Sequence, residues 1–62
     1  MRSADLIKKL IADGWIEQRQ TGSHVTLSKP GVSKIITIPH PRKDASKGVI
    51  RQVQEISGLR LL

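Results

Sequence analysis

Between two turn signals, Thr21-Gly22-Ser23 and Lys29-Pro30-Gly31, lies the run His24-Val25-Thr26-Leu27-Ser28, in which polar and apolar side chains alternate without a break. Strict alternation bounded by turn residues is the pattern of a half-buried strand. Side chains of a strand point to opposite faces with a period of two. If Val25 and Leu27 face a core, His24, Thr26 and Ser28 must face away from it. The imidazole of His24 is therefore expected in the open, at the head of a strand and just after a tight turn.

The flanking chain supplies the rest of a small fold. Ser3-Ala4-Asp5 followed by Leu6, Ile7, Leu10 and Ile11 has the spacing of one apolar helical face. Ser3 is the expected N-cap, Asp5 suits the first turn, and Gly14 suits a left-handed residue that ends the helix. This predicts a helix over residues 4–13, with Lys8 and Lys9 off the apolar stripe and solvated. Trp15 to Gln20 alternates imperfectly and pairs with the next run as a hairpin, and Trp15 is expected in the core. Ser33 to Ile38 is a third strand, rich in β-branched residues. Pro39-His40-Pro41 then reads as a stiff connector, since proline lacks the backbone donor a ladder needs. Asp44-Ala45-Ser46 offers capping groups, and Val49, Ile50, Val53 and Ile56 recur at helical spacing until Gly58, a helix over about residues 46–57. Lys47, Arg51 and Glu55 fall on another face of that helix, and Leu59, Leu61 and Leu62 are expected to close the edge of the core. The order is α-β-β-β-α, an α+β domain over residues 1–62 in which two helices cover one face of a three-stranded antiparallel sheet.

A chain of 62 residues has a small core, since domains of this size bury only about 60% of their unfolded surface. A large catalytic cleft is not expected. The absence of cysteine removes disulfides, thiolate nucleophiles and thiolate metal sites together, and agrees with a reducing cytoplasm. The apolar stretches are too short for a signal peptide or a membrane span. Eleven Lys and Arg against five Asp and Glu give a formal charge of +6, which attracts polyanions at long range. The alternative is a charged face kept for solubility. Trp15 is the sole Phe, Tyr or Trp, so stacking of several bases on an aromatic sheet is excluded. Contact with nucleic acid must run through backbone and shape.

RNA carries its own nucleophile, the ribose 2′-hydroxyl. Its cleavage needs a group to take that proton, another to protonate the leaving oxygen, and cations for the phosphate. An imidazole has an unperturbed pKa near ~6.5 and serves as general acid or base close to neutrality. One positioned His contributes about 10²- to 10⁴-fold. Arg19, Lys34, Arg42, Lys43 and Lys47 are the candidate phosphate-binding cations. The start of the second helix, near Arg42, Lys43 and Lys47, combines free amides with positive charge and suits a phosphate, though it also reads as a solvated basic loop. His40, held between two prolines, is the possible accessory group; it fits fixing the connector or contacting phosphate better than a second proton transfer. No metal and no cofactor is expected, because zinc sites need three or four ligands and the chain offers two His, no Cys and five scattered carboxylates. Gly22 supplies the positive φ a hairpin turn requires whatever the function, and with Ser23 it supports the turn before His24. On these grounds alone a lone His on a three-stranded sheet is more often a surface or half-buried structural residue than a catalyst.

Gly14-Trp15, Arg19, Gly22-Ser23-His24, Pro39-His40-Pro41, Lys47-Gly48 and Gly58-Leu59, in this order, resemble the HicA toxin family of bacterial toxin-antitoxin systems. Each piece alone is weak; the ordered set spans nearly the whole chain. The resemblance implies a double-stranded-RNA-binding-like fold used as an mRNA interferase, an endoribonuclease whose catalytic histidine falls on His24. It also implies mRNA as substrate and a HicB-type antitoxin that masks the site, with the toxin alone a monomer and the pair a higher-order complex. Two positions depart from the family pattern. Many relatives carry a second histidine or a polar residue where this chain has Val25, and many carry proline where it has Ser46. The first bears on cleavage rate or base preference; the second is structurally mild.

Two other classes remain open at this point. One is a small RNA- or DNA-binding module without activity, in which His24 is only a contact. The other is a protein-interaction domain whose charge matches an acidic partner.

Overall fold

The computed structural model describes residues 1–39 and 44–62. The elements are α1 (Ser3–Ala12), β1 (Ile16–Thr21), β2 (His24–Ser28), β3 (Ile36–Pro39) and α2 (Lys47–Ser57). The strands form one antiparallel sheet in the order β1-β2-β3. Leu6, Ile7 and Leu10 of α1, Trp15, Val25 and Leu27 of β2, Ile36 and Ile38 of β3, and Ile50 and Val53 of α2 make one buried cluster. Both helices thus lie against the same face of the sheet, the arrangement that the patterning predicts.

α1 ends in a Schellman motif: Gly14 N–H donates to Ile11 O and Trp15 N–H to Leu10 O, both at 3.0 Å. Gly14 makes this possible with a φ of +102°. The motif also delivers Trp15 beside Leu10 in the core, where the indole is 2% exposed. The start of α1 differs from expectation. Arg2 occupies the N-cap with no side-chain hydrogen bond, and Ser3 is already helical. Its side chain turns inward: Ser3 is 1% exposed and its Oγ has no hydrogen-bond partner among the described residues. Ile11, grouped with the apolar stripe by spacing, stays 51% exposed.

β3 is shorter than the β-branched run suggests. Its register sets Leu27 opposite Ile36, so Ser33 and Lys34 lie past the end of β2, and Ile35, level with the last residue Ser28, does not join the ladder. At its other end Pro39 is still in the ladder, opposite His24. That corrects the reading of Pro39 as part of the connector, and the reason is its place: β3 is an edge strand, where a residue without an N–H is tolerated. The other residues of the expected connector, His40 and Pro41, lie outside the described residues, as do Arg42 and Lys43.

α2 is capped as expected. Ser46 Oγ accepts from Val49 N–H at 3.2 Å, and Gly58, with φ +78°, closes the other end. Beyond it the chain folds back. Gln54 Oε1 accepts from Leu61 N–H at 2.8 Å and from Leu62 N–H at 2.9 Å. Leu59 and Leu61 pack on the core as the flap reading requires, whereas Leu62 remains 59% exposed.

Candidate functional site

The two-residue loop Gly22-Ser23 decides what shares a face with His24. Gly22 has φ +57° and Ser23 is not left-handed, the pattern of a type II′ turn, whose twist matches the strands it joins. Among the described residues no atom lies within 4 Å of a Cβ on Gly22, and the backbone angle itself favours glycine there. The loop sets Thr21 opposite His24, and two residues further along, Arg19 opposite Thr26. On the other side Pro39 faces His24 and Thr37 faces Thr26.

Residues directly opposite in antiparallel strands share a face. One row of the open face is therefore Thr21, His24 and Pro39, and the next is Arg19, Thr26 and Thr37. Arg19 and Thr37 are diagonal neighbours of His24, at roughly 7–8 Å between Cα atoms. Burial agrees: Val25 is 1% and Leu27 0% exposed, while His24 and Arg19 are exposed. Among the described residues no side chain hydrogen-bonds to the imidazole.

The imperfect alternation of β1 has its cause in this geometry. The register shifts between Glu17 and Arg19, so Gln18 is an extra residue, a bulge on an edge strand. Its Nε2 donates to Ser28 Oγ at 2.7 Å, placing Gln18 on the open face too. The bulge also sets Ile16 opposite Ser28, leaving that isoleucine 51% exposed on the same side.

The expected cations do not all meet. Lys47 opens α2, and the residues around it abut the His24 end of the sheet. Ser46 and Val49 share a cavity of about 170 Å³ with Ser3, Asp44, Ala45 and Pro39, and Pro39 is His24's strand neighbour. Lys34 sits at the other end, in the segment between β2 and β3, lining an open groove with Gln52, Glu55 and Ile56 of α2. The length of β2 separates the two ends, about 14 Å at 3.4 Å per residue. The structure therefore groups Arg19 with His24, brings the start of α2 to the same end, and sets Lys34 apart. Alternation places Thr26 beside His24, but Thr21 and Thr37, which complete the face, were not singled out by sequence reasoning. The two-residue turn is the signal that finds Thr21, since it sets the hairpin register next to His24; Thr37 follows only from the β2–β3 register.

Among the described residues no three His, Cys, Asp or Glu side chains gather where they could hold a metal ion. Nor is any described helix long and apolar enough to cross a membrane.

A family model described as the HicA toxin of bacterial toxin-antitoxin matches residues 3–59. The chain belongs to the HicA toxin family. A solved HicA chain, from a HicA3 and HicB3 toxin-antitoxin complex, is 56% identical and superposes with a TM-score of 0.85, the match covering 100% of both chains. Comparison with curated proteins finds no match. The structure also gives the departure from the HicA pattern at Val25 its physical content. Val25 is a core residue of β2, on the side away from His24, so its side chain adds cohesion to the fold and does not enter the open face.

Proposed function

We propose that this HicA domain, residues 1–62, is an endoribonuclease toxin that cleaves mRNA in the cytoplasm by metal-independent acid-base chemistry at His24. The observation that carries this is the placement of His24 on the uncovered face of the sheet, with Arg19 beside it and the start of α2 at the same end. A strand of RNA reaches that face without any opening of the fold.

In the proposed step the imidazole takes the proton of a ribose 2′-hydroxyl, and the 2′ oxygen bonds to the adjacent phosphorus. The bond from phosphorus to the 5′ oxygen breaks, and that oxygen leaves with a proton from a second donor. The products are a 2′,3′-cyclic phosphate and a 5′-hydroxyl. Arg19 and Lys47 supply positive charge where the phosphorane gains negative charge, a contribution that grows with exclusion of water. The two groups differ in kind: a guanidinium grips two oxygens in a fixed fork, while an ammonium acts as a point charge. His40, as a possible accessory group, and Arg42 and Lys43, as phosphate-binding cations, belong to this reading from the sequence alone. A HicB-type antitoxin is the proposed partner, supported by the HicA3 and HicB3 complex that contains the similar chain, and by a surface of net positive charge that favours association with an acidic one.

The test is a nuclease assay of the purified chain on a defined RNA with chelator present, with product ends identified, beside His24→Ala. Cleavage to cyclic-phosphate ends, lowered at least 10²-fold in the variant, is the expected result. Equal cleavage by His24→Ala refutes the role of that residue. Binding without cleavage by both proteins replaces the nuclease with a passive RNA-binding module.

A further inference from the structure

Thr26 and Thr37 stand opposite each other across β2 and β3, one row below His24 on the open face. Thr26 is half-buried and Thr37 exposed. Side chains in such a pair have Cβ atoms about 4.5–5.5 Å apart, close enough for both hydroxyls to reach one small group. Among the described residues neither hydroxyl is used by another side chain. Thr26 lies two residues along β2 from His24, about 6.8 Å at the usual rise. A strand of RNA reacting at His24 and running along β2 would bring its next nucleotide over this pair.

The chemistry of the pair selects what part of that nucleotide it meets. Phosphate oxygens only accept hydrogen bonds, and Arg19 serves them from the far side of Thr26. Bases need stacking platforms, and the single aromatic, Trp15, is in the core. A ribose 2′-hydroxyl both donates and accepts, as threonine hydroxyls do, and it is the group that distinguishes RNA from DNA at a given site.

We propose that Thr26 and Thr37, facing each other beside His24, form a site for the 2′-hydroxyl of the nucleotide next to the scissile one. This rests on RNA as the ligand of the open face. The ribose requirement is thereby doubled: one 2′-hydroxyl is the nucleophile, and its neighbour is held by the threonine pair. DNA lacks both, and an RNA with a single deoxynucleotide at the neighbouring position loses only the second.

The test uses His24→Ala, so that RNA stays intact, and measures affinity for a single-stranded RNA and the DNA of the same sequence at equal salt. RNA binds about tenfold more tightly than DNA, the ratio expected from two neutral hydrogen bonds. Adding Thr26→Val and Thr37→Val brings the RNA affinity down to that for DNA and leaves DNA binding unchanged. Valine keeps the β-branched shape that strands favour, so an unaltered melting transition shows that the fold persists. Thr26→Ser with Thr37→Ser retains the hydroxyls and the preference for RNA. An RNA-to-DNA ratio that is the same with valine as with threonine overturns the proposal while leaving the nuclease reading intact. Failure of both nucleic acids to bind at low salt overturns the two together.

Discussion

Ser3→Ala tests the account of α1, because two readings of the same residue give opposite signs. As an N-cap, serine stabilises a helix, and its replacement by alanine costs about 0.5–2 kcal/mol. In the structure Ser3 is inside the helix, 1% exposed, with an Oγ that has no partner among the described residues. A buried hydroxyl left unpaired costs about 1–3 kcal/mol, and alanine removes that cost. Alanine is also the better helix former by roughly 0.5 kcal/mol. Against this stands a void the size of one atom, worth a few tenths of a kcal/mol. The net expectation is a gain of about 1–2 kcal/mol, an upward shift in Tm of roughly 5–15 °C for a domain of this size. Urea denaturation of both proteins checks it, with the midpoint rising and the slope m unchanged. A loss of about 1 kcal/mol would refute the reasoning, since it would mean that the hydroxyl has a partner whose hydrogen bond stabilises the fold.

Gly58→Ala destabilises by about 1 kcal/mol, from its φ of +78° alone, since no atom lies within 4 Å of the added Cβ. Gly48→Ala stabilises by about 0.5 kcal/mol, because its Cβ meets only Ser46 Oγ at 3.9 Å within an ordinary helical turn; thermal melts of the two variants should move in opposite directions. Val25→Thr buries a hydroxyl in the core and costs about 1–3 kcal/mol, while RNA cleavage per folded molecule stays at the parent rate when assayed well below the melting temperature. Lys47→Glu weakens RNA binding and flattens its salt dependence, whereas Lys34→Glu, beyond a Debye length of about 8 Å from the His24 end, changes both little. Anisotropy titrations at several salt concentrations separate the two lysines.

The element order and the face occupied by His24 were legible because both follow from local rules. Val25 and Leu27 alternate with polar neighbours, and Gly14, Ser46 and Gly58 punctuate the helices where the backbone needs them. Ser3 misled for a local reason as well: a serine before an apolar run resembles a cap, but the pull of the core on the first turn begins the helix one residue sooner. The start of β3 was not legible, because strand propensity at Ser33 to Ile35 says nothing of where pairing with β2 stops. Pro39 was assigned to the connector since its missing donor matters only where a neighbour requires it, and at a sheet edge none does. The basic residues show the same divide. Arg19 and Lys34 are equal in composition, yet only register tells that one is diagonal to His24 and the other lies a strand's length away. The double hydrogen bond from the tail to Gln54 has no sequence signature, since it joins a side chain to the backbone of residues that merely follow a glycine.

The alternation in β2 divides the sheet into a side that holds the protein together and a side that carries His24 and is not part of the core. Val25, Leu27, Ile36 and Ile38 are answerable to one another and to both helices, so a change at any of them must be matched elsewhere. Arg19, Thr21, Thr26 and Thr37 are bound by no such agreement, because none of them belongs to the buried cluster. Inheritance can therefore act on the two sets at different rates. A lineage built on this domain is free to exchange the residues around His24 while the scaffold that presents the histidine stays the same.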